Sequence, residues 1–317
     1  MKDLVSICLA TYNGEKYLKE QLDSIINQTH KNLELIVQDD CSSDKTIEIL
    51  ESYKDKIDIQ IYKNEQNLGY IKNFESVLKK ANGDFIAMCD QDDIWEKDKI
   101  ELLLKNIDDA TLIYSDSLLV DKDAKSLDKK FSQSLKNNFV STKNPLAFLN
   151  DNCVSAHAML FKKELLEFIF PFPPNIFFDA WIAANGASLN GIKFYDACLV
   201  HYRQHDTNTL SKHSKESKAT PQKKQNKAEK KLQKVQAKLS AIESMLKLPL
   251  LTDEDKQLLK DLKTEYLKFN KSYFNFKLFN ILFTHRDKLY EITKKNSFRL
   301  SLKESIGYKA YKVFPVL

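Results

Sequence analysis

The stretch "DFIAMCDQDD", residues 84–93, decides the fold. Its first half is an apolar run of the length typical of a buried strand, and its second half places three aspartates within four residues. A buried strand that ends in concentrated negative charge is unfavourable unless a cation lies beside it. Two interpretations follow, a capped and solvated turn before "IWEKDKI" or a site that holds a metal ion.

The sequence before this stretch repeats the same pattern of an apolar run followed by polar residues. Strands are predicted over 4–10, 33–38 and 57–63, and segments with helical periodicity separate them. This alternation is typical of βαβ units and predicts an α/β protein with a mainly parallel sheet flanked by helices. The polar clusters that follow the four strands are "TYNG", "DDCSSD", "NEQNLGY" and "DQDD". All four should lie at the carboxyl edge of the sheet, where such sheets bind ligands, and this favours a site over four solvated turns.

Composition narrows the class of protein. The chain has 317 residues, of which 43% are hydrophobic and 29% charged, as in a globular protein with one large domain or two smaller ones. Five scattered cysteines without CxxC spacing indicate a reducing compartment. The first apolar run is too short for a signal peptide, and no window has the length of a spanning helix, so we expect a cytoplasmic protein. Walker and GxGxxG loops are missing from the sequence, which argues against ATPase and NAD-dependent activities.

The C-terminal third has a different pattern. Residues 211–234 are rich in lysine, which indicates an anionic partner; we expect a membrane surface and no nucleic acid. Apolar residues then recur at helical spacing over 232–246 and 259–276, which predicts an antiparallel helical hairpin. The segment "YFNFKLFNILF" is compatible with a membrane interface, with packing on the main domain, or with self-association into a homo-oligomer. The predicted domains are 1–210, a lysine-rich linker at 211–228, and a helical hairpin with C-terminal helices at 229–317.

Six segments in order carry a family resemblance: "VSICLATYNGEKYLKEQLDSIINQT", "LIVQDDCSSDKT", "NEQNLGYIKNFE", "GDFIAMCDQDDIWEKDK", "FFDAWIA" and "YRQH". They resemble the family 2 glycosyltransferases, and specifically a bacterial surface-polysaccharide subgroup that includes rhamnosyltransferases. The resemblance implies a GT-A (Rossmann-like) fold, here followed by an α-helical C-terminal extension. Ala10, where many relatives have proline, and the "FFDAW" form depart from the family pattern.

The resemblance also implies an activity. It would be an inverting, metal-dependent transfer of a sugar from a UDP- or dTDP-sugar to a hydroxyl of a growing, lipid-linked glycan. This would take place at the cytoplasmic face of the inner membrane, with the enzyme bound peripherally. Asp90, Asp92 and His205 would hold Mn²⁺ or Mg²⁺, which prefer hard oxygen ligands. A capped turn, and a purely structural histidine, are the alternatives.

The implied nucleotide-sugar contacts come from five parts of the sequence. They are Thr11, Tyr12, Asn13, Asp40, Asn67, Gly69, Asn73, Asp90 and Arg203. Asp40 would read the ring N–H that uracil and thymine share, although an Asx turn also explains it. Arg203 would pair either with the diphosphate or with a local carboxylate.

Asp179 is the implied catalytic base. An inverting transfer needs a base that deprotonates the acceptor hydroxyl, and Asp179 opens a predicted helix after the stiff "FPFPPNIFF" segment. A helix cap is the alternative. Trp181 and His157 are the expected acceptor contacts, with core packing as the alternative for Trp181.

Two other functions stay open at this point. A nucleotidyltransferase would use a similar sheet and metal, but it needs a glycine-rich, basic phosphate loop after the first strand. Only Gly14 and Lys16 are available there. A catalytically idle interaction protein would use the helical C-terminal region, against which the intact Asp90, Asp92 and Asp179 argue.

Overall fold

The computed structural model describes residues 3–135, 137–205 and 227–313. Most of the predicted lysine-rich linker, 211–226, lies outside these residues, and the domain boundaries stay a prediction. Within the described residues one sheet contains nine strands. They are β1 Val5–Thr11, β2 Leu33–Asp39, β3 Ile59–Lys63, β4 Phe85–Cys89, β5 Ile94–Trp95, β6 Leu112–Val120, β7 Ser126–Lys130, β8 Met159–Lys162 and β9 Ile192–Arg203.

The first half of the sheet is parallel, as predicted. Its strands run in the order β3-β2-β1-β4, and β1 is paired in register with β2 from Val5 opposite Leu33 to Thr11 opposite Asp39. The near-continuous burial of β1 is typical of a strand covered on both faces. All four polar clusters therefore follow strands that end at the same edge, which confirms the arrangement expected from the sequence.

The second half of the sheet is mixed. The order continues β8-β6-β9-β5, with β8 antiparallel to both neighbours and β9 parallel to β6. The short β5 pairs antiparallel with β9, and β7 forms an antiparallel edge on β6. The sequence predicted a mainly parallel sheet and not these antiparallel pairs, which need no crossover helix between their strands.

Helices cover both faces of the sheet and form the C-terminal region. Those of the sheet domain are α1 Leu18–Ile26, α2 Thr46–Glu51, α3 Tyr70–Leu78, α4 Lys99–Asn106, α5 Phe131–Ser134, α6 Leu166–Ile169 and α7 Phe178–Ser188. Those of the C-terminal region are α8 Lys227–Met245, α9 Asp253–Tyr266, α10 Phe276–Thr284, α11 Arg286–Leu289, α12 Ser297–Ser305 and α13 Tyr308–Val313. None of the described helices has both the length and the apolar character needed to span a bilayer.

Helices α8 and α9 pack against each other across a short loop, as the predicted hairpin requires. The return helix, however, ends at Tyr266 rather than continuing to Phe276. A 3₁₀ turn at Phe269–Lys271 interrupts it, and α10 starts afresh after Asn275, whose side chain accepts a hydrogen bond from the Leu278 N–H at 2.9 Å. The apolar period was correct, but the new N-cap breaks the helix.

Two hydrophobic clusters lie on opposite faces of the sheet. Because side chains alternate along β1, Ile7 packs in one cluster and Cys8 in the other. The Cys8 cluster continues through Ile182 of α7 into Ile242 of α8 and Leu262 of α9. A 3₁₀ turn, Pro145–Leu149, contacts both α7 and α8. The helical seam thus packs on the sheet domain, which was one of the alternatives from the sequence.

Candidate active site

The loops after the strands are joined into one surface at the carboxyl edge. The Tyr12 N–H donates to Gln91 Oε1 at 2.9 Å, and Gln91 Nε2 donates back to the Tyr12 carbonyl at 3.1 Å. Asn13 Oδ1 accepts from the Ser43 N–H at 2.9 Å. Gly14 lies under the Gln91 amide, where any Cβ would collide with it. Loops that follow β1, β2 and β4 therefore meet here, and the Tyr12 ring remains 47% exposed.

Thr11 is buried and supports the second loop. Its Oγ1 donates to Asp39 Oδ1 at 2.9 Å, and Asp39 Oδ2 accepts the Ser42 N–H at 2.9 Å. Both side chains are buried, so they fix the end of β2 and the start of the following turn. The Asx turn was the alternative for Asp40, but the carboxylate that accepts an N–H of the following turn, three residues on, is that of Asp39.

Asp40 holds the loop that follows β3. Its Oδ1 accepts from the Leu68 N–H at 2.7 Å and from Asn64 Nδ2 at 2.8 Å, and its Oδ2 accepts from the Gly69 N–H at 2.8 Å. Gly69 has φ of +81°, a conformation that glycine adopts without strain. Asn67 reinforces this loop, because its Oδ1 also accepts the Gly69 N–H, at 3.1 Å. A base contact by Asp40 would have to use the acceptor capacity left on a carboxylate that already holds three donors.

Asn73 is a buried tie between α3 and the strands. Its Nδ2 donates to the Gln38 carbonyl at 2.9 Å, and its Oδ1 accepts from Asn64 Nδ2 at 2.9 Å. The side chain is 2% exposed. Its amide therefore joins α3 to the end of β2 and to the loop after β3.

The three aspartates of the "DQDD" loop have different partners. Asp92 Oδ2 lies 2.7 Å from His205 Nε2. Asp90 Oδ2 and Asp93 Oδ2 instead lie 3.7 Å and 3.9 Å from His157 Nδ1. Potential ligand atoms of Asp90, Asp93 and His157 all fall within 4.8 Å of one another. The residues expected to bind metal thus come together, but as an Asp92–His205 pair beside an Asp90–Asp93–His157 cluster.

Asp93 contributes a buried carboxylate oxygen that lacks a hydrogen-bond donor. Its side chain is fully buried, Oδ1 accepts the Arg203 N–H at 3.1 Å, and Oδ2 accepts from none of the described residues. Burial raises the pKa of Asp93 well above its usual value, and the charges of Asp92 and Asp90 add to this rise. An orphaned carboxylate oxygen among acids and a histidine fits a divalent cation, whose charge would reverse this effect.

A buried lysine lies behind the cluster. Lys99, in the first turn of α4, donates from Nζ to the His157 carbonyl at 2.7 Å and lies 3.3 Å from the centroid of the Trp95 ring. Burial lowers its pKa to about 7, while the nearby acids oppose that shift. Sequence reasoning missed this residue. The helical spacing of Lys99, Leu103 and Ile107 would have placed it on the buried face of α4.

The Arg203 guanidinium forms hydrogen bonds and an ion pair with groups of the protein itself. Its guanidinium donates to the Asp92 carbonyl at 2.8 Å and to the Lys122 carbonyl at 3.0 Å, and it forms an ion pair with Glu20 at 2.9 Å. It also lies over the Tyr17 ring, and its side chain is 1% exposed. The local-carboxylate alternative is therefore the one that the structure contains, and Arg203 fastens the backbone of the aspartate loop.

His157 lies beside the carboxylates. Its Nε2 is 2.9 Å from Ser117 Oγ, and its ring stacks on Tyr202 at 4.6 Å with an interplanar angle of 18°. The side chain is 4% exposed. His157 is therefore buried beside the carboxylates of Asp90 and Asp93, and its contact with an acceptor stays a prediction.

Asp179 lies in the first turn of α7, as predicted. Its Oδ1 accepts the Ala180 N–H, a donor of the first turn, at 2.7 Å. The N-cap position itself is occupied by Phe177, so Asp179 is not the helix cap. Burial raises the pKa of Asp179 to about 7, and the nearby Asp90 charge adds to the rise. A carboxyl group with this pKa is ionised to a useful extent near neutral pH and can still accept a proton.

The two aromatic residues beside Asp179 have different environments. Trp181 is 6% exposed and its Nε1 donates to the Ile169 carbonyl at 2.8 Å, so it has the core-packing role. Phe177, immediately before α7, is 69% exposed instead. The doubled phenylalanine before "DAW" was the available sequence signal for an exposed aromatic beside the aspartate.

Comparison with known proteins adds to this geometry. The profile of the family described as "Glycosyl transferase family 2" matches residues 6–170. An "Uncharacterized glycosyltransferase" of Haemophilus influenzae is 30% identical over 69% of this chain and 71% of its own. The "Putative teichuronic acid biosynthesis glycosyltransferase TuaG" of Bacillus subtilis is 36% identical over 40% of this chain, and the alignment spans about half, 52%, of TuaG.

A solved structure shares the fold. It is that of Staphylococcus aureus TarS residues 1–349 in complex with UDP-GlcNAc, with a TM-score of 0.60 over 90% of this chain and 81% of that one. At 20% identity this likeness shows the fold alone. By sequence, "Poly(ribitol-phosphate) beta-N-acetylglucosaminyltransferase TarS" is 36% identical over 36% of this chain but only 20% of the TarS sequence.

Proposed function

The chain belongs to glycosyl transferase family 2, and from this premise we propose that it transfers a sugar from a nucleotide sugar to a hydroxyl of a bacterial surface glycan. One observation carries the proposal. A carboxyl group with a pKa of about 7, Asp179, lies near Asp90, at the edge of the sheet where the four polar loops meet. This juxtaposes a base with a site for an anionic leaving group.

Asp179 would act as the general base. It takes the proton from the acceptor hydroxyl as the hydroxyl oxygen attacks the anomeric carbon from the side opposite the diphosphate. The bond between that carbon and the diphosphate oxygen breaks as the new glycosidic bond forms, so the anomeric configuration is inverted. Burial, with a smaller contribution from the Asp90 charge, raises the pKa of Asp179 to about 7, where it can accept this proton.

Asp90, Asp92 and His205 would hold Mn²⁺ or Mg²⁺. Asp90 and Asp92 are the more exposed carboxylates, with side-chain exposures of 34% and 18%, and so can share an ion with a substrate. A cation bound there would neutralise the negative charge of the diphosphate leaving group. Asp93 and His157 have potential ligand atoms within 4.8 Å of Asp90 and would add ligands from the buried side of the same ion.

The loops after β1, β2 and β3 would bind the nucleoside. The exposed Tyr12 ring can stack on a nucleobase. Asp40 holds the Leu68–Gly69 backbone in place by accepting both of its N–H groups. We propose a UDP- or dTDP-sugar as donor, through the remaining acceptor capacity of Asp40. A relative binds UDP-GlcNAc and UDP in its solved structures, which supports uridine.

The acceptor would be a growing, lipid-linked surface glycan at the cytoplasmic face of the membrane. The names of two relatives, which refer to teichuronic acid and poly(ribitol-phosphate), support a surface polymer. Phe177 is the exposed aromatic beside Asp179, and we assign it the stacking contact with the acceptor that Trp181 was expected to make. Phe177→Ala should then raise the KM for the acceptor more than tenfold with little change in donor affinity.

The test is a screen of UDP-, dTDP-, GDP- and CDP-sugars by thermal shift, with Mn²⁺ and with EDTA. Stabilisation by a uridine or thymidine donor that needs the metal is expected, followed by turnover that EDTA and Asp179→Ala both abolish. Preference for a GDP-sugar would refute the assignment of Asp40. Full turnover in EDTA would refute the metal, and turnover that survives Asp179→Ala would refute the base.

A further inference from the structure

Five phenylalanines form a continuous cluster on the surface of the C-terminal region. Neighbouring rings lie 4.7 to 6.1 Å apart between centroids, and Phe276 and Phe298 are 78% and 48% exposed. We call this cluster the aromatic patch; its members are Phe274, Phe276, Phe279, Phe283 and Phe298. Large exposed apolar patches mark interaction sites, whereas single exposed apolar residues are ordinary.

Helix α10 has two apolar faces, and only one of them packs inside the protein. Leu278 and Leu282, four residues apart, are buried in the core. Phe276, Phe279 and Phe283 follow helical spacing on a different side. Phe276 contacts Phe274, whereas Phe279 and Phe283 contact each other and Phe298 of α12. The core is already closed by the leucines, so the outward phenylalanines are available to a partner.

Basic residues surround the aromatic patch. Between Leu267 and Lys303 the sequence has nine lysines and arginines but only two acids. The Lys277 side chain is 71% exposed, Arg299 and Lys303 are exposed on α12, and the Arg286 guanidinium lies 4.7 Å from the Phe283 ring. Lys277 lies 3.5 Å from Glu265 and Arg286 lies 3.7 Å from Asp287, so Arg299 and Lys303 supply most of the uncompensated charge. The segments that carry the aromatic patch therefore combine aromatic rings with an excess of positive charge.

This combination discriminates between partners. A second copy of the chain would bring like charges together, which opposes pairing of two such faces. A bilayer with anionic lipids matches both properties, because aromatic rings insert at the boundary of headgroups and acyl chains while lysine and arginine meet the lipid phosphates. A helix with one buried and one outward apolar face would lie in the plane of such a surface.

We propose that the aromatic patch docks the chain on an anionic lipid bilayer. Phe276, Phe279 and Phe298 would enter the interface, and Lys277, Arg299 and Lys303 would contact the headgroups. The proposal is independent of the sugar transferred and of the catalytic base. It also differs from the expectation that the lysine-rich residues 211–234 contact the membrane, since it rests on folded helices.

Flotation of the full chain on phosphatidylcholine vesicles, with and without phosphatidylglycerol, tests the proposal. The wild-type chain should float with the anionic vesicles, and added salt should weaken this binding. Phe276→Ser/Phe298→Ser should lower the partition coefficient at least tenfold. Arg299→Glu/Lys303→Glu should lower it more than twentyfold, since each charge at such a surface contributes about fivefold. All four positions are exposed, and the melting temperature of each variant confirms that it folds.

Matched control variants test whether binding depends on this surface rather than on exposed apolar or charged side chains in general. Leu250→Ser removes a similarly exposed apolar side chain from the loop between α8 and α9, and Lys31→Glu/Lys105→Glu reverses two exposed charges on the sheet domain. Both should bind as the wild-type chain does. Residues 211–234 are unchanged in every variant, so binding through them would leave all variants equal.

Three outcomes would overturn the proposal. The first is a wild-type chain that does not float, and the second is unchanged binding of both patch variants. The third is a dimer seen by analytical ultracentrifugation that Phe276→Ser/Phe298→Ser dissociates while flotation is unaffected. That result would assign the patch to self-association.

Discussion

Replacing Asp179 with asparagine should stabilise the protein while removing its activity. The carboxyl group has a pKa of about 7 in the fold against an ordinary value of 3.8, and burial is the main cause. Asparagine has almost the shape of the protonated acid and stays neutral at every pH. The variant therefore keeps the packing of the site but not the unfavourable burial of a charge.

The sign and size of the expected change in the free energy of unfolding follow from proton linkage. The folded state binds the Asp179 proton more tightly than the unfolded state does. The contribution of this group to stability is therefore fully present below about pH 4 and is lost as pH rises to about 7. Each pKa unit corresponds to about 1.4 kcal/mol. The shift of about three units gives an upper limit of about 4 kcal/mol, and because the side chain is partly exposed we expect about 2 to 4 kcal/mol.

The measurement is the melting temperature of wild type and Asp179→Asn in EDTA, at pH 5 and pH 8. The variant should gain about 3 to 8 °C at pH 8 and clearly less at pH 5. Its sugar transfer should fall about 10²- to 10⁴-fold, the usual contribution of a general base. A control is Asp253→Asn, which removes an exposed carboxylate from the first turn of α9 and should lower stability slightly at pH 8.

A lower melting temperature for Asp179→Asn at pH 8 would refute this reasoning. It would mean that the amino end of α7 stabilises the carboxylate more than burial disfavours it. Asp179 would then be ionised throughout the working pH range, and the pH dependence of turnover would need another group.

Three further changes test the loops and the packing. Asp40→Ala leaves the Leu68 and Gly69 amides without their acceptor, so it should cost about 2 to 4 kcal/mol by urea unfolding and weaken UDP binding more than tenfold. Gly69→Ala should cost only about 1 to 2 kcal/mol, because its Cβ would meet no atom within 4 Å and only the positive φ is unfavourable; a larger loss would point to a hidden contact. Leu262→Ala should lower stability by about 2 to 5 kcal/mol in calorimetry and shift the melting of the sheet domain, whereas Lys260→Ala on the exposed side should do neither.

The parallel half of the fold was predictable because its information is local. Each of β1 to β4 is a short apolar run, and the polar cluster that follows each run marks where the strand ends. The position of Asp179 in the first turn of a helix was predictable for the same reason, from the proline-rich segment before it. In these cases composition and spacing alone determine the element.

Contacts between distant segments were not predictable in this way. Arg203 was expected to pair with either a diphosphate or a carboxylate. Its ion pair with Glu20 depends on how β9 meets α1, and these elements are separated by more than half the chain. The grouping of Asp93 with His157 depends in the same way on β8 joining the sheet beside β4. The helix break before α10 depends on Asn275, whose side chain caps a new helix. The apolar period continues across this break and therefore did not predict it.

The Pro145–Leu149 turn has a consequence for building chimeric enzymes. Similarity to the family profile ends at residue 170, but this turn packs on both α7, which carries Asp179, and α8 of the C-terminal region. The end of the profile match therefore falls within a continuous interior. A transplanted C-terminal region would need the facing surface of the turn and of α7 to come with it. Without that surface the recipient would gain new helices but lose the packing that positions the residue equivalent to Asp179.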